Sequence, residues 1–180
     1  YSQSNRENLS FIFEITKIIK IKKINMFKTL KNFKGLKYRQ QIIFRSKKLT
    51  IINDSKSTSF SSSVSILKLM SNVSWIVGGL AKKGDKFSLQ KNDCKHLKAY
   101  IYGKNRNIFK SKLKDIVKYE TFENLKILIK KIFLDMKNDK NLMHKTILFS
   151  PAAASFDSFK NFEERGEYFN NLIKKHNNVQ

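Results

Sequence analysis

"VSWIVGG", residues 73–79, is a short apolar run that ends on two glycines. Its content of Val, Ile and Trp describes a strand covered on both faces. Similar runs follow at "LKAYIYG", 97–103, and the shorter "IVKYE", 116–120, and the last is "HKTILFS", 144–150. Between the last two lies "TFENLKILIKKIFLDM", 121–136, apolar at helical spacing with Thr121 and Glu123 at its start. "DSFKNFEERGEYFNNLIKK", 157–175, reads as the final helix. Upstream, "SSSVSILKLMSN", 61–72, opens with N-capping serines and continues at helical spacing. Strands alternating with helices predict an α/β fold, a mostly parallel sheet with helices on both faces. In such sheets a ligand lies beyond the carboxyl ends of the strands.

The texture changes before this block. "QQIIF", 40–44, and "KLTIIN", 48–53, are β-branched runs separated by "RSK", which predicts a hairpin. Residues 8–22 and 26–33 have helical periodicity, the second segment stopped by Gly35. A boundary is therefore expected near residue 36, with a short helical remnant at 1–36 and the α/β domain at 37–180.

The formal net charge is +23, which alone suggests a polyanion or an anionic membrane surface. The lysines are scattered, however, and far outnumber arginine, the residue of bidentate phosphate and base recognition. Lys, Asn, Ile and Phe are also products of adenine- and thymine-rich codons. No specific nucleic-acid partner is expected, although a basic nucleic-acid-binding domain remains the alternative from charge. "FIFEITKIIKIKKI", 11–24, is broken by charge and reads as amphipathic, so no membrane partner is expected. The single cysteine, Cys94, fits a reducing cytoplasm, and the three histidines show no metal-ligand spacing.

Three loops carry candidate chemistry. "GLAKKGDK", 79–86, has P-loop glycine spacing, but Asp85 stands where the phosphate-binding lysine is needed, so it is read as a glycine turn presenting Lys82. "NDSKSTS", 53–59, offers Asp54 as an acceptor and Lys56, Ser57 and Thr58 to an anion near a helix N-terminus. "SPAAASFDSF", 150–159, leaves a strand through Pro151 and three alanines, and Ser155 is expected at the mouth of the final helix. No G-x-G-x-x-G follows any strand, which excludes a dinucleotide enzyme.

"GLKYR", "INDSKSTS", "IVGGLAKKGD" and "SPAAASFDSFKNFEERG", in this order, closely resemble the C-terminal domain of the Mur ligases. The resemblance runs from about Asn5 to the end. It implies a Rossmann-like domain that brings in an amino acid, preceded by the closing helices of a central ATP-binding domain. It also implies a cytoplasmic, monomeric, ATP-dependent ligase of peptidoglycan precursor synthesis. Within the family the motifs suit addition of D-glutamate to UDP-N-acetylmuramoyl-L-alanine through an acyl phosphate. A sibling ligase adding another amino acid is the alternative, although no "DNPR"-type motif of a diamino-acid site occurs.

Carried over by motif, Thr58, Lys82, Ser155, Phe156 and Phe162, with Lys56, would hold D-glutamate. Asn5, Asn8, Arg39 and Asp54 would contact ATP, with Ser4 and Tyr38 departing from the family's histidines. ATP and Mg2+ are the implied cofactors, the metal held mainly by the central domain. No metal ligand and no catalytic side chain is assigned here, and the chain alone is expected not to turn over.

Overall fold

The computed structural model describes residues 3–33, 35–139 and 143–177, without the side chains of residues 3–5 and 177. The chain divides into two compact units, Tyr1–Leu36 and Lys37–Gln180. The first holds α1 (Gln3–Ile18) and α2 (Lys23–Asn32). Within it Phe13 meets Phe27 edge to face at 6.0 Å, and the Thr16 hydroxyl lies 3.3 Å from the Met26 sulfur. Only Met26 is buried among its described residues, whereas Phe11, Ile15, Ile18 and Ile24 are exposed.

The second unit is built on a sheet of six strands. These are β1 (Gln41–Arg45), β2 (Leu49–Asn53), β3 (Val73–Gly78), β4 (Leu97–Tyr102), β5 (Lys118–Phe122) and β6 (Lys145–Phe149). The spatial order is β1-β2-β6-β3-β4-β5, with only β1 antiparallel. The hairpin expected from "QQIIF" and "KLTIIN" is β1–β2, with a bulge between Ile42 and Phe44. The last strand in sequence thus lies between β2 and β3, pairing Ile51 with Ile147 and Trp75 with Leu148.

Four helices cover the sheet: α3 (Phe60–Leu67), α4 (Arg106–Leu113), α5 (Leu125–Asn138) and α6 (Phe162–Asn177). Alternation along each strand sends side chains to two cores. On one face Trp75, Val77, Ala99, Ile101 and Leu148 meet Phe60 and Leu67 of α3 and Phe109 and Leu113 of α4. On the other, Ile51, Ile76, Tyr100, Ile147 and Phe149 meet Leu128 and Ile132 of α5 and Phe169 and Ile173 of α6. This is the three-layer α/β arrangement that the strand and helix alternation predicts.

Two helix starts differ from the sequence expectation. The cap of α5 is Asn124, whose side chain accepts from the Ile127 N–H, while Thr121 belongs to β5. The final helix begins at Phe162, not near Ser155, because residues 155–161 turn first. The Ser155 carbonyl accepts from the N–H groups of Ser158 and Phe159. Two side chains close the helix start: the Asn161 side chain accepts from the Glu164 N–H, and the Glu164 carboxylate accepts from the Lys160 N–H.

Candidate functional site

Strands β2, β6 and β3 lie side by side and parallel, so the loops that leave them share one rim. These are the loops at residues 54–59, 79–86 and 150–161. Thr58 and Lys56 are on the first, Lys82 on the second, Ser155 and Phe156 on the third, and Phe162 starts the helix after it. All six residues expected to hold an amino acid therefore stand at the carboxyl edge of adjacent strands.

Specific contacts tie the loops in pairs. Leu80 and Ala154 form a two-way main-chain bridge, with N···O distances of 2.9 and 3.1 Å, which joins the second loop to the third. Asp85 joins the second loop to the first: its Oδ2 accepts from the Phe60 N–H at 2.7 Å, at the N-terminus of α3. The residue that spoils the P-loop pattern is thus a helix cap supplied from a neighbouring loop. The Ser55 hydroxyl joins the first loop to the third by donating to the Phe162 carbonyl at 2.8 Å. Above it, the Lys56 ammonium lies 3.9 Å from the centroid of the Phe162 ring.

Below the rim a set of hydroxyls and a carboxylate is buried and bonded. The Ser57, Ser63 and Ser150 hydroxyls run in a chain with 2.8 Å steps, and Ser150 donates to Asp54 Oδ2 at 2.9 Å. The loop at 54–59 and the start of α3 are therefore fixed from beneath. Asp54 Oδ1 accepts from the Gln40 N–H at 3.1 Å, so the carboxylate faces inward. Burial raises the Asp54 pKa to about 6, against the opposing pull of the Ser150 and Gln40 hydrogen bonds and the nearby Arg39 charge. In contrast, Thr58, Lys82 and Phe156 are exposed, Ser155 is buried and Phe162 is half-buried.

Arg39 is exposed on the segment entering β1. Its neighbour Tyr38 is buried, donates to Glu167 of α6 at 2.8 Å and lies flat against Gly166. Asn8 is exposed on α1, and the Asn5 side chain lies outside the described residues. These two belong to the first unit, whereas Arg39 and Asp54 belong to the second.

Sequence reasoning gave no role to Arg165, although "FEERG" was part of the resemblance. It is fully buried in the first turn of α6, and its Nε and Nη2 donate to the Ser55 hydroxyl and carbonyl at 3.1 and 2.7 Å. Asn53 was also passed over. Its side chain donates to the Gly166 carbonyl and accepts from the Ser55 N–H, so it fastens the end of β2 to α6. Both contacts between β2 and α6 join segments more than a hundred residues apart, so no local sequence signal marks them.

Relatives with curated names match almost the whole chain. A Rickettsia felis protein named UDP-N-acetylmuramoylalanine--D-glutamate ligase is 35% identical over 172 residues, 96% of this chain. The chain belongs to the Mur ligase family. Ligases of the same name from a Wolbachia of Brugia malayi and from Francisella tularensis are 35% and 31% identical, each over 96% of the chain. The match lies in the C-terminal part of these Mur ligases. The chain spans 38% of the Rickettsia protein's length, 34% of the Wolbachia protein's and 41% of the Francisella protein's. No family model matches the chain.

Proposed function

We propose that this chain is the amino-acid-binding part of an ATP-dependent ligase that joins D-glutamate to UDP-N-acetylmuramoyl-L-alanine. The observation that carries the reading is the rim where the loops after β2, β3 and β6 are tied together in pairs, beside the names of the relatives. On this reading Lys37–Gln180 is the C-terminal domain, and Tyr1–Leu36 closes the central ATP-binding domain.

D-glutamate brings two carboxylates, whose desolvation must be offset. Lys82, exposed on its glycine turn, supplies an ammonium, and a charge-assisted hydrogen bond contributes about 1.5–3 kcal/mol net. Thr58 and Ser155 add hydroxyls from the flanking loops. Lys56 rests on Phe162 and stands ready to add a second cation, while Phe156 offers an exposed apolar surface. The amine is left free to attack the carbonyl of an acyl phosphate: the C–N bond of the amide forms, the C–O bond to phosphate breaks, phosphate leaves with that electron pair, and the amine gives up a proton. These side chains orient the nucleophile, a positioning effect, and none of them is a catalytic base.

Arg39 and the inward Asp54 fit a supporting place beside a nucleotide rather than a full ATP site. Among the described residues no group of three His, Cys, Asp or Glu converges, and on this reading the magnesium ion would be held mainly by the central domain. Among the described residues no helix is long and apolar enough to cross a membrane. We place the reaction in the cytoplasm, where the lone thiol of Cys94 stays reduced.

The test is titration of D-glutamate against the chain, followed by amide chemical shifts, with D-alanine as the monocarboxylate control. D-glutamate is expected to bind more tightly, with shifts at Thr58, Lys82 and Ser155. Lys82→Ala should weaken it by about 10- to 100-fold. Equal binding of the two amino acids, or shifts confined to another surface, would overturn the assignment.

A further inference from the structure

Among the described residues Arg165 is the only buried lysine or arginine. Its guanidinium touches more than one loop. Nε and Nη2 hold the Ser55 hydroxyl and carbonyl of the loop after β2. Nη1 faces the glycine turn after β3 so closely that a Cβ on Gly79 would lie 3.1 Å from it and 2.7 Å from the Ala154 carbonyl. Asp157, on the loop after β6, and Tyr102, at the end of β4, are its nearest charge and phenol partners. Arg165 Nη1, the Tyr102 hydroxyl and Asp157 Oδ2 are buried together, with the phenol and the carboxylate as electrostatic partners of the guanidinium. The planar fork thus sits inside the ring of loops, bonded to Ser55 on one wall and set against the Gly79 turn and the Tyr102 and Asp157 side chains on the others.

We propose that Arg165 is the positioning residue of this rim, a buried fork that holds the loops after β2, β3 and β6 in one register so that Thr58, Lys82 and Ser155 face a single dicarboxylate. The inference rests on the D-glutamate reading for the identity of that dicarboxylate, and on the structure alone for the coupling of the loops. A packing role does not explain the residue. Replacing a buried ion by an apolar side chain of similar volume is often neutral or stabilising, so a methionine would serve a core equally well. What methionine cannot do is bond Ser55 twice while its other edge meets Gly79. Gly79 has a φ of +129°, and its missing side chain is what lets the guanidinium approach the turn.

The experiment compares wild type, R165M and R165K of this chain by amide hydrogen exchange without ligand, then by D-glutamate titration. Exchange at residues 55–58, 79–82 and 152–157 is expected to rise together by about tenfold or more in R165M, while α5 and β4 keep wild-type protection. R165K retains the charge but not the fork, and it should behave like R165M. Both variants should bind D-glutamate about tenfold more weakly. Unchanged exchange at the glycine turn, or a change confined to the Ser55 loop, overturns the proposal. If the three loops loosen together but wild type binds no D-glutamate, the substrate reading fails and the role of Arg165 stands. Should R165M not fold, S55A, which removes the Nε acceptor together with the Ser55–Phe162 bond, is read at residues 79–82 alone, a turn that Ser55 does not bond: faster exchange there supports the proposal and unchanged exchange overturns it.

Discussion

Asp54 and Gly166 show how single residues near the rim are constrained. Asp54 keeps its proton to about pH 6 when folded, against an ordinary value of 3.8. Below pH 4 both folded and unfolded chains hold the proton. As pH rises toward 6 the unfolded chain ionises first, so stability falls, and above 6 the folded chain carries a buried charge. Asp54→Asn is therefore expected to stabilise the protein at pH 7.5 by on the order of 2–3 kcal/mol, and to be near neutral at pH 4. Urea midpoints at the two pH values measure this, and a variant less stable at pH 7.5 would contradict it. At Gly166 an added Cβ would fall 2.3 Å from Tyr38 Cδ1. Tyr38 is itself held at φ +61° and has no room to retreat. Gly166→Ala should cost about 2 kcal/mol or more by thermal melting. In a Tyr38→Ala background the same change should cost nothing or stabilise the helix by up to about 1 kcal/mol, and an equal cost in both backgrounds would clear Tyr38.

At the level of elements, what the sequence revealed depended on how much each segment buries. β3, β4 and β6 were legible because both of their faces are covered and their runs are almost wholly apolar. α5 was legible through its stripe of Leu125, Leu128, Ile129 and Ile132. α4 went unread because only Phe109 and Leu113 turn inward among lysines. The start of α6 was misjudged because apolar spacing continues through Phe156 and Phe159, residues of the preceding turn. Of the rim, Lys82, Thr58 and Ser155 could be placed by loop position, whereas Asp85 as a distant cap and Arg165 as a buried fork are three-dimensional contacts between loops with no local pattern. The cap of α5 offers a test at this scale. Asn124 accepts from the Ile127 N–H at 3.1 Å, and Asn124→Ala should lower stability by about 1 kcal/mol in urea unfolding. No change would mean that Thr121 or Glu123 caps the helix after all.

For the molecule as a whole, the charge of +23 must be separated from the site. The proposed site calls on Lys56 and Lys82, whereas most of the other described lysines are exposed and scattered along the chain. Attraction of the chain to DNA should therefore be counterion-driven, strong at low salt and lost by about 0.2 M. Elution of the chain from a DNA column along a salt gradient reads this directly, and retention beyond that point would revive a nucleic-acid role. The order of the strands has a separate bearing on how the protein is made. β6 fills the slot between β2 and β3, yet it leaves the ribosome after all five other strands. Until then the nascent chain carries a β1–β2 hairpin and a β3–β4–β5 block, each with an open apolar edge and no route to join. Translation that stops short of Lys145 would release two half-sheets, and the cell would meet them as substrates for chaperones and proteases.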